Sequence, residues 1–380
     1  MKIAYYTETY LPNKDGVVTS ILTFKKALED MGHEVYIFAA GDRKAKRENK
    51  DPRVFYYTST PFKPYPMYRI ALFPFMSQKD VKKLGIDIVH SHGMVTMGLA
   101  AVEAANANKL PLVSTFHTLL PQASHYISNA KIVREMVEKF TWRYLEWYYK
   151  KCDAVITPSV VIKEMLEERG LTGISVIPTG IDIRKFNPDN DGSIVRKEWG
   201  MEKNKIVLNV GRLVLEKNLD VLIKSSLVVL EEFSDARFVI VGEGPAAGYY
   251  KKLVSKAGVG KWFCFINEAV PAEKMPLVYA AADVFAIPSK FETQGIVVQE
   301  AMASGKPVVG ADYLALKEII REGYNGYKFN ADDPDECAEK IIKALKSGEE
   351  IKKNARKSAE EFSIENCATR LVKLYEKVVL

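Results

Sequence analysis

Glu292 and Glu300 stand with seven residues between them in "SKFETQGIVVQE" (289–300), Gly295 among the seven. The preceding "ADVFAIPS" reads as a strand, "KFETQ" as a loop, and "GIVVQEAMAS" as a helix stopped by Gly305. Glu292 then lies before the helix start and Glu300 more than a turn inside it. A helix start presents unpaired backbone N–H groups and the positive end of a dipole, which suits phosphate oxygens. A carboxylate on either side suits what a diphosphate joins: Glu292 lies near a sugar, and Glu300 can accept from ribose hydroxyls. Taken singly, either glutamate would also fit an ordinary helix-start carboxylate. The pair around the glycine carries the reading.

Other candidates for chemistry are fewer. His117 follows the strand-like "PLVST". His90 and His92 alternate at the end of another strand, a pattern that metal ligands use, but no third ligand lies nearby in the sequence. "DND" (189–191) imitates a metal-binding acidic pair and sits among turn formers, so it reads as a turn. No metal site is expected. Cys152, Cys264, Cys337 and Cys367 are far apart and form no CxxC pair, which points to a reducing compartment.

These residues need elements to hold them. Short apolar runs recur along the chain: 2–8, 34–38, 86–92, 110–116, 152–159 and 175–180, then 205–211, 236–244, 261–267, 282–289 and 306–311. Helical stretches fit between most of them, the first from Val17 to Met31 with Gly32 as its stop. Strands that are apolar throughout and alternate with helices predict parallel sheets covered on both faces. The expected domains are 1–180 and 205–364, each a doubly wound α/β sheet. The polar, turn-rich stretch 181–204 is expected to link them, and an amphipathic helix at 365–380 to return to the first domain. In open parallel sheets ligands bind beyond the carboxyl ends of the strands, so two facing sheets would enclose a cleft. With 380 residues and 47% hydrophobic content the chain can fill two cores. "MKIAYYTE" has no signal-peptide pattern, and no run of about 18 apolar residues is present.

The run "QEAMASGKPVV", taken with the two glutamates, resembles the donor-site signature of the retaining family 4 glycosyltransferases, which have the two-domain GT-B fold. "GRLVLEKNLD" (211–220) resembles the diphosphate loop of that family, "IPTGIDIRKFNP" (177–188) its inter-domain element, and "YTETYLPNKDGVVTSI" (6–21) its acceptor-side loop. The resemblance covers nearly the whole chain. It implies that Arg212 and Lys217 contact a diphosphate, that Glu292 contacts the donor sugar and supports the transition state, and that Glu300 holds the ribose. Backbone N–H groups at Gln294, Gly295 and Ile296 would hold phosphate. Gly16 would keep the first loop thin, and His117 would approach a sugar hydroxyl. A leaving nucleoside diphosphate gains negative charge, and two cations with a helix dipole match that need. Enzymes of this fold generally need no metal, so no cofactor is expected.

The net charge of +6 lies wholly in residues 1–180, with 24 Lys and Arg against 18 Asp and Glu. Within it, 131–151 carries six cations, three glutamates and six aromatics: Phe140, Trp142, Tyr144, Trp147, Tyr148 and Tyr149. That composition suits a helix lying in a headgroup layer, and equally a helix packed on its domain. The run 61–75 adds prolines, aromatics and two cations. "TFHT" (115–118) and "ETQG" (292–295) resemble the diacylglycerol glucosyltransferase branch. That branch implies UDP-glucose as donor, a lipid acceptor, and attachment to the anionic cytoplasmic face of a membrane, with no nucleic acid partner. A soluble sugar or polyol acceptor is the alternative, followed by a nucleotide-sugar 2-epimerase. A non-catalytic sugar-binding module has no use for a diphosphate loop.

Overall fold

Runs of Val, Ile, Ala and Phe without polar alternation can be satisfied only where both sheet faces are covered. The computed structural model, which describes residues 1–13, 15–62, 68–119, 131–267 and 270–380, contains two such sheets. The chain divides into two units: Met1–Gly180 with Ile364–Leu380, and Ile181–Ser363.

In the first unit the strands are β1 (Lys2–Thr7), β2 (Glu34–Gly41), β3 (Val54–Pro61), β4 (Arg69–Ala71), β5 (Ile88–Ser91), β6 (Leu112–Thr115), β7 (Ala154–Thr157) and β8 (Ile174–Val176). Their spatial order is β4-β3-β2-β1-β5-β6-β7-β8. Among the described residues only β4 runs antiparallel to its neighbour. Strand order reverses between β1 and β5, where Tyr5 pairs with His90. The helix Gly16–Asp30 is capped by Asp15, whose carboxylate accepts from the Val18 N–H at 2.9 Å. The C-terminal helix Ile364–Val379 packs in this unit. Cys367, Leu371, Val372 and Tyr375 join a core with Ile3, Tyr5, Ile21 and Phe24.

The second unit holds β9 (Ile206–Val210), β10 (Arg237–Val241), β11 (Phe263–Ile266), β12 (Val284–Ile287), β13 (Val308–Ala311) and β14 (Gly326–Phe329). All are parallel, in the order β11-β10-β9-β12-β13-β14. That is the doubly wound dinucleotide-fold order, with its switch point between β9 and β12.

Two expectations change. The stretch 181–204 is part of the second unit and not a linker: Ile181, Phe186, Val195 and Met201 are buried in its core. Its polar residues make local turns, with Asp191 accepting from the Ser193 N–H and Asn187 from the Asp189 N–H, both at 2.9 Å. Polarity there is turn chemistry wrapped around four apolar anchors. The aromatics of 131–151 also divide. Trp142, Tyr148 and Tyr149 are buried, while Phe140 and Trp147 are exposed. Half of the expected interfacial set is therefore core. Residues 63–67 of the proline-rich run lie outside the described residues. Among the described residues no helix is long and apolar enough to cross a membrane.

Candidate active site

The second switch point is built by glycine. After β9, Gly211 donates its N–H to Val241 O and Leu213 donates to Glu243 O, laying the first loop along the one that follows β10. A Cβ at Gly242 would stand 1.9 Å from Gly211 O, and one at Gly244 would stand 2.2 Å from Leu213 O. The loops can therefore touch backbone to backbone only without side chains. Arg212, half-buried, and Lys217 ride on this loop. Asn218 closes it in the left-handed region at φ 55° and donates to Pro288 O and Ala331 O. Those bonds tie the β9 loop to the loops after β12 and β14.

Across the switch point Lys217 Nζ donates to Glu292 Oε1 at 2.5 Å. The two residues are 75 apart in sequence, so the fold joins what the sequence only lists. Gly295, at φ 75°, begins the helix Ile296–Ala303 and contributes no capping side chain. Gln294 is buried and donates from Nε2 to Gln299 Oε1 at 3.0 Å. Glu300, the fifth residue of that helix, accepts a hydrogen bond from the Tyr279 hydroxyl at 2.6 Å. Burial pushes the Glu300 carboxyl up to about 7, against the pull of the Tyr279 bond and the Lys185 charge. Seven of the expected residues (Arg212, Lys217, Glu292, Gln294, Gly295, Ile296 and Glu300) thus lie on the two loops and the helix that flank one switch point.

Gly16 and His117 belong to the first unit. Gly16 is the first residue of its helix and not a loop glycine, and a Cβ there would meet no atom within 4 Å. Packing within its own unit does not require glycine there. His117 follows β6 and pairs through Nε2 with His92 Nδ1 at 2.9 Å. Burial lowers the His117 imidazole to about 4, so it is neutral near pH 7. The His90 nitrogens are engaged by Tyr375 and Thr115 hydroxyls. Among the described residues no group of three His, Cys, Asp or Glu side chains is arranged to hold a metal ion.

Two residues escaped the sequence reading. Tyr279 orients Glu300 from the helix Met275–Ala280, and a tyrosine in an apolar run gives no local sign of that. Glu8, just past β1, is buried and receives N–H bonds from Val95, Met97 and Gly98 on Oε1 at 2.9–3.1 Å. Those are the first amides of the helix Thr96–Asn108. A carboxylate directly after a strand was the available signal.

Two doubly wound sheets in one chain, the second with cations and carboxylates at its switch point, are the GT-B architecture of glycosyl transfer. The Anabaena Alr3699/HepE structure in complex with UDP matches with a TM-score of 0.78 and 20% identity, over 99% of this chain and 100% of that one. Residues 14–185 match the model of Glycosyltransferase Family 4, and residues 193–362 that of Glycosyl transferases group 1. An uncharacterized glycosyltransferase of Methanocaldococcus jannaschii is 30% identical, over 99% of this chain and 98% of its own length. The alpha-monoglucosyldiacylglycerol synthase of Streptococcus pneumoniae is 28% identical, over 100% of this chain and 86% of its own. The chain belongs to the family 4 glycosyltransferases.

Proposed function

We propose that the enzyme is a retaining glycosyltransferase that moves a hexose from a nucleotide-diphosphate sugar, UDP-glucose first, to a hydroxyl of a membrane lipid such as diacylglycerol. The Lys217–Glu292 pair beside the open start of the helix Ile296–Ala303 carries the donor half of this reading. Arg212 and Lys217 take the diphosphate, together with the N–H groups of Gln294, Gly295 and Ile296. Glu292, released from Lys217, accepts from the sugar hydroxyls. Glu300 accepts from the ribose, His117 bonds a sugar hydroxyl, and the space at Gly16 admits the donor. The bond from the anomeric carbon to the diphosphate oxygen breaks, and the acceptor oxygen bonds that carbon on the same face. The acceptor's proton passes to the leaving diphosphate oxygen. Protein cations and helix amides supply the positive charge, so no metal or other cofactor enters the reading.

The helix Lys131–Tyr149 supports the acceptor half. Ile132, Met136 and Phe140 recur every four residues and are 73%, 67% and 74% exposed, so they form one apolar stripe. Lys131, Lys139 and Arg143 are exposed on the same helix. Each cation near an anionic leaflet contributes about 1 kcal/mol, which gives reversible, salt-sensitive attachment to the cytoplasmic face.

The test is a panel of UDP-, GDP- and ADP-sugars offered with a total lipid extract, with products identified by mass spectrometry and anomeric coupling constants. A glycolipid of retained configuration is expected. Inversion overturns the mechanism, and products on soluble sugars or polyols alone overturn the lipid acceptor. In vesicle co-sedimentation at low salt, replacing Lys139, Arg143, Lys150 and Lys151 by Glu is expected to abolish binding to anionic vesicles. Unchanged binding sinks the membrane attachment.

A further inference from the structure

Asn218 stands at the start of the helix Leu219–Glu232, where an asparagine ordinarily accepts from the first amides of its own helix. Here no side-chain cap forms. The Asn218 amide nitrogen reaches two other loops instead. It donates to Ala331 O, past β14, at 2.8 Å and to Pro288 O, past β12, at 3.2 Å. Those carbonyls lie 113 and 70 residues away along the chain. Both are acceptors only, so the nitrogen of the amide and not its oxygen faces them. An amide nitrogen carries two N–H groups, and each is spent on one carbonyl.

Backbone conformation does not account for the residue. Asn218 lies in the left-handed region at φ 55° and ψ 34°. Glycine enters that region without steric cost, whereas asparagine is only tolerated there. If the turn alone were required, glycine would serve. What asparagine adds is the pair of N–H groups.

The place of Asn218 gives that pair a use. Lys217 directly precedes it, and Lys217 Nζ meets Glu292 Oε1 across the switch point. Pro288 belongs to the loop that carries Glu292, and the same loop returns a backbone bond from the Lys290 N–H to Glu216 O at 3.2 Å. The main chain that bears the ammonium is thus pinned to the main chain that bears the carboxylate. The bond to Ala331 adds a third point, from the loop after β14, which resists sliding of the other two. A lysine has a flexible stem, so the location of its ammonium depends on how firmly its backbone is held.

We propose that Asn218 is a positioning residue for the Lys217–Glu292 pair: its amide clamps the loop after β9 to the loops after β12 and β14, and so sets where the diphosphate-binding cation stands relative to the sugar-binding carboxylate. The roles of that pair rest on the function proposed above, while the clamp does not.

Asn218→Gly keeps the left-handed backbone and deletes both N–H groups. Asn218→Asp keeps the shape and turns both donors into acceptors facing carbonyls. Hydrogen–deuterium exchange of the full chain, read by mass spectrometry, tests the clamp without any substrate. Amides in 288–292 and 330–333 should exchange faster in both variants. In glycosyl transfer, kcat should fall roughly 10- to 100-fold in Asn218→Gly while KM for the donor moves less than about threefold, because a displaced pair fails chiefly at the growing charge of the leaving diphosphate. Asn218→Asp should lose more than Asn218→Gly. In a Lys217→Ala background Asn218→Gly should add little. Native exchange in both variants overturns the clamp. Faster exchange with native kcat, or full additivity with Lys217→Ala, overturns the positioning role. Loss of native circular dichroism in Asn218→Gly also overturns the proposal, since the amide would then hold the fold and not the site. If the unaltered protein transfers from no nucleotide-sugar while the exchange result holds, the donor reading fails and the clamp stands.

Discussion

Each sheet reverses its strand order once, and each reversal has a glutamate beside it, but the two glutamates do opposite things. At β1/β5 Glu8 turns inward and occupies the start of the helix Thr96–Asn108, accepting three amides with one oxygen. A Cβ at Gly93 would fall 1.4 Å from the other oxygen, so the chain closes over the carboxylate with glycine. At β9/β12 Glu292 stands outside its helix and holds Lys217, and the start of Ile296–Ala303 receives no side-chain cap from Gly295. One switch point fills its helix start with its own carboxyl group, and the other leaves its helix start without a side-chain cap, the place that the proposed function gives to the donor's diphosphate.

The sharpest way to break this contrast is Glu8→Ala. It leaves three amides without their acceptor in a buried place and should destabilise the first unit by about 3–5 kcal/mol. Denaturant midpoints check this, and a loss below about 1 kcal/mol would mean that water or another group seals the crevice instead. Next in size are Arg212→Ala and Lys217→Ala. Each should lower turnover by roughly 30- to 1000-fold, or about 2–4 kcal/mol, with circular dichroism unchanged. Near-native rates in both would place the diphosphate elsewhere. The smallest effect runs in the opposite direction. Burial raises the Glu300 carboxyl from its ordinary 4.5 to about 7. Between those values the folded form holds the proton more tightly than the unfolded chain, so this group's contribution to stability falls as pH rises through that window. Glu300→Gln should therefore stabilise the protein at pH 8, by at most ~3 kcal/mol, while raising KM for the donor. A lower Tm in Glu300→Gln at pH 8 would show that the ionised carboxylate is fully compensated in the fold.

The open crevice was legible in the sequence because its parts are contiguous. Glu292, Gly295 and Glu300 share one loop and one helix, and Arg212 and Lys217 share another loop. Their contact across 75 residues was not legible, since spacing along the chain carries no information about which loops meet. Strands that are apolar throughout were visible as strands. β3 and β4 were not, because "VFYYTSTP" has only Val54 buried and "RIA" only Ala71, so neither shows a full apolar run. β14 was missed because a four-residue strand beginning with glycine has too little pattern to read. Segment 181–204 misled because its turn formers outnumber its four anchors. The helix Lys131–Tyr149 misled because composition counts Trp142, Tyr148 and Tyr149 alongside Phe140 without saying which side of the helix each occupies.

Tyr375 reaches the His90 ring and the Tyr5 hydroxyl from the last helix of the chain. On a ribosome, Tyr375 is made 370 residues after Tyr5. At the usual 5–20 residues per second, the interval between them is on the order of tens of seconds. Throughout that interval the first sheet lacks part of its core, while residues 181–363 emerge with all six strands of the second. The second sheet can therefore be complete while the first still waits for its closing helix. A nascent chain interrupted before residue 364 would carry the second sheet complete and His90 without the Tyr375 hydroxyl, held only from its other nitrogen by Thr115.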